Sequence, residues 1–319
     1  MATQETGIFD KMQEIRAYAL ANNRLLGVHK ALFYQSGWFI YWAEGPPAAI
    51  DALLERVAKD PHHHSMRLLH RSAGPRHLLT PWSMMVGSST ESAAEFGSRV
   101  LEMRIRFQEG RQLPPTSVIR RLLAPLELGA PGTSKLDEPF HRIGVCSARG
   151  NESFELVRWL AVQNKGSYAA RRVAGEDGVD NASDYVEFLH NGYPCRVIAV
   201  ARQSLLHGLR RAFMPDWSNL LLLFCGDDKR DDALMDRVRA ACVGLPAHPR
   251  LVGFAPTVAT HRRMALAAAQ EGLDYFDAAE AGPHGFPRIW AAFSPLLSSA
   301  GAPKITDWSE AKPEAPDQA

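Results

Sequence analysis

Apolar positions follow roughly the helical period through "IFDKMQEIRAYALANNRLLG", where Ile8, Met12, Ile15, Tyr18 and Leu20 recur and Gly27 supplies the stop. The period then drops to two. "KALFYQSGWFIYWAEG" reads as two strands around the turn "QSG". "PPAAIDALLERVAKDP" returns to helical spacing, led by prolines and ended at Asp60-Pro61. "SMRLLHRS" predicts a third strand and "TPWSMMVGS" a fourth, followed by helices over "ESAAEFGSRVLEMRIRFQ" and "TSVIRRLLAPLEL". The Gly/Pro/Ser mixture of "LGAPGTSKLDEP" predicts a linker over 128–139, which closes a first domain over 1–127.

Beyond it the rhythm changes. "RIGVCSA" reads as a buried strand, "NESFELVRWLAVQN" as a helix, and "SYAARRVA" as a further strand. "DYVEFLHNGYPCRVIAVA" predicts two strands about the turn "NGYP", and "LLHGLRRAFM" a helix. The wholly apolar "NLLLLFC" suits a strand covered on both faces. The helix "DDALMDRVRAACVGL", strand "RLVGFAP", helix "HRRMALAAAQEGL", strand end "DYFDAAE" and helix "GFPRIWAAFSPLL" complete the series. Such alternation predicts a mostly parallel sheet with helices on both faces, over 140–300. The polar tail 301–319 is expected to be disordered.

Composition narrows the function classes. At 319 residues, 46% hydrophobic and 22% charged, the chain suits two ordinary domains. A formal charge of +1 gives no field toward nucleic acid or membrane surface. "NLLLLFC" is too short to span a bilayer, and the polar start "MATQETGIFD" lacks a signal core. Cys146, Cys195, Cys225 and Cys242 lie far apart without a paired spacing, which predicts free buried thiols in a reducing, cytoplasmic setting rather than zinc ligands. Three adjacent histidines, His62 to His64, with His70 and His77, point in different directions, so no metal is expected.

Residues 10 to 95 resemble the BLUF family, blue-light sensors that hold FAD between two helices on a small sheet. The resemblance rests on "NRLLG" (Asn23, Gly27), on "GWFIYWAEG" before a helix containing "ERVAKDPHH", and on Arg76 upstream of "PWSM" (Trp82, Ser83, Met84). It implies flavin contacts at Asn23, at position 41 and at Arg56; read from the residues alone, Asn23 is a helix-end cap and Arg56 a solvated cation. The family's photochemistry requires a Tyr on a first strand and a Gln before Glu-Gly. Here Tyr41 occupies the Gln position, with one hydroxyl in place of an amide that both donates and accepts. No Tyr precedes Tyr18, and the segment before the first helix is short and polar for that strand. His29-Lys30 replace Thr-Gly, adding bulk and charge. These departures imply no bound cofactor, with FAD as the alternative. Trp38 and Trp42 then read as a contact surface for a partner.

Residues 140 to 295 resemble, in element order, the small Ras-like GTPases of the gliding-motility type. "RIGV" would be the first strand and "CSARGNES" the phosphate loop. Aligned on Ser153, that loop carries Cys146, Asn151 and Glu152 where Gly, Gly and Lys belong. Exchanging Lys for Glu reverses a charge. Two unit charges about 4 Å apart interact by roughly 4 kcal/mol at an effective dielectric of 20, so the exchange weakens phosphate binding substantially. Gly150, Asn151, Glu152 and Ser153 are therefore a non-binding remnant. The Asp-x-x-Gly switch and the base-reading Asn/Thr-Lys-x-Asp are absent too. The acidic run "CGDDKRDD" reads as helix-start acids, with a divalent-ion site as the alternative.

The expected fold class is α/β: an N-terminal ferredoxin-like α+β unit of BLUF type, then a C-terminal Ras-like three-layer α/β domain. The expected role is that of a non-enzymatic bacterial regulatory or scaffold protein acting through protein contacts, with motility or surface-appendage control implied by resemblance alone. A roadblock-type partner and a homodimer are both compatible with it. Alternatives are a flavin-binding light or ligand sensor with altered photochemistry, and a nucleotide switch with a non-standard loop.

Overall fold

The structure, a computed structural model, is described for residues 2–60, 66–87, 91–111, 113–123, 141–179, 181–278 and 285–297. It divides into two compact units, separated within the stretch between Leu123 and His141. The predicted linker 128–139, the tail 301–319 and His62 to His64 lie outside the described residues.

In the first unit, α1 (Ala2–Leu25) ends where Gly27 takes a positive φ of 61°. Strands β1 (His29–Gln35) and β2 (Trp38–Glu44) pair antiparallel from His29–Glu44 to Gln35–Trp38. Ser36 (φ 49°) and Gly37 (φ 83°) make the two-residue turn whose twist suits a hairpin. After α2 (Pro47–Lys59), β3 (Trp82–Gly87) runs parallel to β1, in the order β2-β1-β3. α3 (Ala93–Gln108) starts on a capping box between Ser92 and Glu95. Arg99 of α3 donates to the carbonyls of Arg121 and Leu122 and so holds α4 (Pro115–Leu123).

One expected strand is missing. Residues 66–72 of "SMRLLHRS" form no ladder, and Met66 and Leu68 face solvent. Their alternation matches a strand pattern, but no neighbouring strand takes their backbone groups. Among the described residues the first unit therefore holds three strands, not the four its sequence predicts.

The second unit opens with β4 (His141–Ser147), α5 (Glu152–Asn164) and β5 (Ser167–Ala169). "SYAARRVA" is broken at Ala170, so β6 (Arg171–Ala174) pairs instead with the two-residue β7 (Asn181–Ala182), which carries no sequence signal. β8 (Tyr185–His190) and β9 (Tyr193–Ala199) form a hairpin about Asn191 and Gly192, both at positive φ. Then follow a 3-10 turn (Arg202–Leu206), α6 (Gly208–Phe213), β10 (Asn219–Leu223), α7 (Asp228–Cys242), β11 (Arg250–Phe254), α8 (Val258–Ala269), β12 (Tyr275–Asp277) and α9 (Phe286–Phe293). The sheet order is β12-β11-β10-β4-β9-β8-β5, parallel from β12 through β9. Leu234, Val238 and Met264 of α7 and α8 bury one face. Leu156, Leu160 and Phe293 of α5 and α9 bury the other. Both faces are thus covered, as the continuous apolar strands predict.

Candidate flavin-type pocket and phosphate-loop region

Cross-strand partners point to the same side of a sheet. The register therefore puts Lys30, Leu32 and Tyr34 with Tyr41, Ala43, Trp82 and Met84 on one face. α1 packs against β1 and β3, while Arg56 and Asp60, on and just after α2, act electrostatically on Lys30 and Tyr41. The resemblance assigns this face to a flavin. Asn23, at the end of α1, is buried; its amide donates to the Pro81 carbonyl at 3.1 Å, and its own carbonyl accepts from Val28 at 2.9 Å. That side chain ties α1 to the start of β3.

Lys30 is only 6% exposed. Burial, with Arg56 adding like charge, pushes its pKa down to about 8. Burial, with Asp60 adding, raises the Tyr41 phenol above its ordinary value. A groove of about 470 Å³ alongside is lined by Ala52, Glu55, Arg56, Lys59 and Asp60, all from α2 or the residue after it. This set of residues does not fit the family's light-driven switch. Tyr41 has no amide to rotate, and a buried cation shares its face.

The opposite face is covered from within. Trp38 donates from Nε1 to the Ala93 carbonyl at 3.0 Å and lies 5.9 Å from the Phe96 ring of α3. Trp42 is buried beside His77 and donates to Glu44. The sequence assigns Trp38 and Trp42 to a partner contact; in the structure Trp42 is buried and Trp38, half-exposed, packs on α3. Phe39, on the Tyr41 side, is the exposed aromatic of β2.

Sequence reasoning overlooked Glu44. Its carboxylate accepts from the backbone of His77 and Leu78, both at 2.8 Å, and contacts His77 Nδ1 at 3.1 Å. Burial alone would raise the carboxyl; the hydrogen bonds from His77 and Leu78 win and hold it below its ordinary value. Gly45 follows because a Cβ there would meet Val28 at 3.0 Å and the Gly27 carbonyl at 3.3 Å. Arg76 donates to that same carbonyl at 2.9 Å. Glu-Gly is thus a latch on the segment before β3, and a Glu ahead of a forced Gly was its only sequence signal.

In the second unit, Gly150 (φ 54°) makes the turn after β4. Asn151 stands at the start of α5 without a side-chain cap, Glu152 is engaged by Arg149 at 3.2 Å, and Ser153 is buried. The four residues are adjacent, with the serine side chain buried and the glutamate paired to Arg149. The acids of "CGDDKRDD" are occupied as well. Asp227 caps α7, Asp231 accepts from Cys225 and Gly226 at 2.9 Å, and Asp228 and Asp232 pair with Arg263. No cluster of His, Cys, Asp or Glu among the described residues is arranged to hold a metal, and no described helix is long and apolar enough to cross a membrane. The four cysteines are free thiols, with Cys225 half-buried and the others buried.

Comparison with known proteins bears on the first unit. No curated protein matches the chain. One similar solved structure is described as that of a bacterial light-regulated adenylyl cyclase; it shares 11% identity over 72% of this chain and 83% of the other, with a TM-score of 0.23, too low to carry an argument. The informative match is to a family model: residues 2–85 match BLUF, sensors of blue light using FAD.

Proposed function

We propose that the chain is a non-enzymatic regulatory protein, in which a BLUF-type unit without flavin photochemistry is joined to a Ras-like unit without a working phosphate loop. The observation that carries this reading is the face shared by Lys30 and Tyr41, where a buried cation and a phenol stand in place of a glycine and a rotatable amide. The hairpin β8–β9 beside β4, with β10 and β11 on its other side, supports the Ras-like reading of the second unit. The engaged Glu152 and buried Ser153 support loss of nucleotide chemistry. Such a molecule acts through protein contacts, and a roadblock-type partner follows from the Ras-like resemblance. The absorption spectrum of the purified full chain, before and after incubation with FAD, is the direct test. A colourless protein that takes up no FAD is expected; a stable yellow complex with a light-induced spectral shift would overturn the reading.

A second reading, a flavin-binding sensor with altered photochemistry, is favoured by the family match over residues 2–85. It predicts FAD bound without that spectral shift.

A further inference from the structure

Trp82 of β3 is fully buried, and its indole Nε1 is enclosed without an acceptor among the described residues. Folded chains seldom leave a buried donor in that condition. The parallel register sets Trp82 directly beside Lys30, on strands about 4.8 Å apart. Lys30 is itself buried, and the charged side chain acting on it is a second cation, Arg56 of α2. An orphaned donor and a repelled amine thus stand next to each other on one face.

The other charges nearby are engaged elsewhere. Lys59 pairs with Glu55 at 3.9 Å, one turn apart on α2. Asp60 acts on the Tyr41 phenol, which burial keeps protonated. Arg56 is exposed and lines the groove of about 470 Å³ along α2, so solvent reaches it. The lining of that groove stops short of Lys30, which favours a small uncharged electrophile over a bulky carbonyl compound. Burial brings the Lys30 ammonium down to about 8. About one amine in ten is then neutral at pH 7, against about one in three thousand for an ordinary lysine, and the neutral amine is the nucleophile.

We propose that Lys30 is a carbon dioxide site, where the amine becomes a carbamate held by Trp82 Nε1 and Arg56. The nitrogen lone pair forms the N–C bond, one C–O π bond breaks toward oxygen, and the nitrogen gives a proton to water. Lys-NH2 and CO2 yield Lys-NH-COO⁻ and H⁺, with nothing oxidised or reduced. The product is an anion, so repulsion from Arg56 becomes attraction, and an oxygen accepts from the orphaned indole N–H. The added group has only three heavy atoms. This goes beyond the regulatory reading and does not need it: the carbamate is read without FAD, and FAD uptake by absorbance.

The test exposes the full chain near pH 8 to ¹³C-labelled bicarbonate, traps carbamates as ethyl esters with a trialkyloxonium salt, and maps them by peptide mass spectrometry. The amino terminus, whose ordinary pKa is also about 8, is the internal standard. Saturable labelling at Lys30 is expected, at least tenfold above Lys11, Lys59, Lys165 or Lys229. Trp82→Phe should lower labelling at Lys30 at least fivefold and leave the amino terminus unchanged. If that variant unfolds, Arg56→Gln, an exposed position, decides: a similar fall supports the site, and unchanged labelling overturns it. No trapped adduct at Lys30, or one no greater than at the exposed lysines, would also overturn it.

Discussion

Lys30→Met is the most telling single change on the flavin-type face. A fall in pKa from 10.5 to about 8 is worth roughly 3 kcal/mol, at about 1.4 kcal/mol per unit. Solvent screening at the ammonium end reduces this, so roughly 3 kcal/mol is an upper bound. The folded chain holds that proton less tightly than the unfolded chain does. Stability is therefore lowest below pH 8 and recovers as pH rises between about 8 and 10.5. Methionine fills similar space without the charge. Urea denaturation at pH 7 should show Lys30→Met more stable than wild type by up to about 3 kcal/mol, and the gain should shrink toward zero near pH 10. A gain of the same size at both pH values would refute the reasoning, as would a loss of stability at pH 7.

Other changes test the remaining contacts. Glu44→Gln weakens the latch on His77 and Leu78 and should lose about 1–2 kcal/mol at pH 7. Because the folded carboxyl titrates below its ordinary value, its contribution is present above about pH 4.5 and fades as pH falls through the folded pKa, so denaturation at pH 3 should find a smaller gap than at pH 7. Asp231→Ala strips the acceptor from two backbone N–H groups and should cost the second unit about 2–4 kcal/mol in urea denaturation. Lys30→Gly combined with Tyr41→Gln should let the chain take up FAD, read as flavin absorbance retained through gel filtration; continued exclusion would show that the barrier lies elsewhere.

Much of this architecture is legible from periodicity and punctuation. Ser36-Gly37 and Asn191-Gly192 mark hairpins because both positions need positive φ, which few residue pairs tolerate. The misread strand at 66–72 shows the limit: alternation at Met66 and Leu68 records a pattern, but a strand also needs a neighbour, and pairing is a tertiary fact. Trp38 and Trp42 show a related limit. Alternation separates the faces of β2 and leaves open which face α3 will cover. β7 is two residues long, below any periodic signal. Lys30 stood out in sequence as an oversized residue. Its burial beside Arg56 emerged only when β1, α1 and α2 were placed. Trp82 sat inside an ordinary strand reading, since an unsatisfied donor is defined by what surrounds it.

The Glu44 latch has a bearing on how such a domain can change. Asn23, Glu44, Gly45 and Arg76 close the shell largely through main-chain partners at Pro81, Gly27, His77 and Leu78. The fastening and the reactive face are separate sets of residues. A lineage can therefore rewrite the face one substitution at a time, passing through forms that still fold, while the fastening stays as it is.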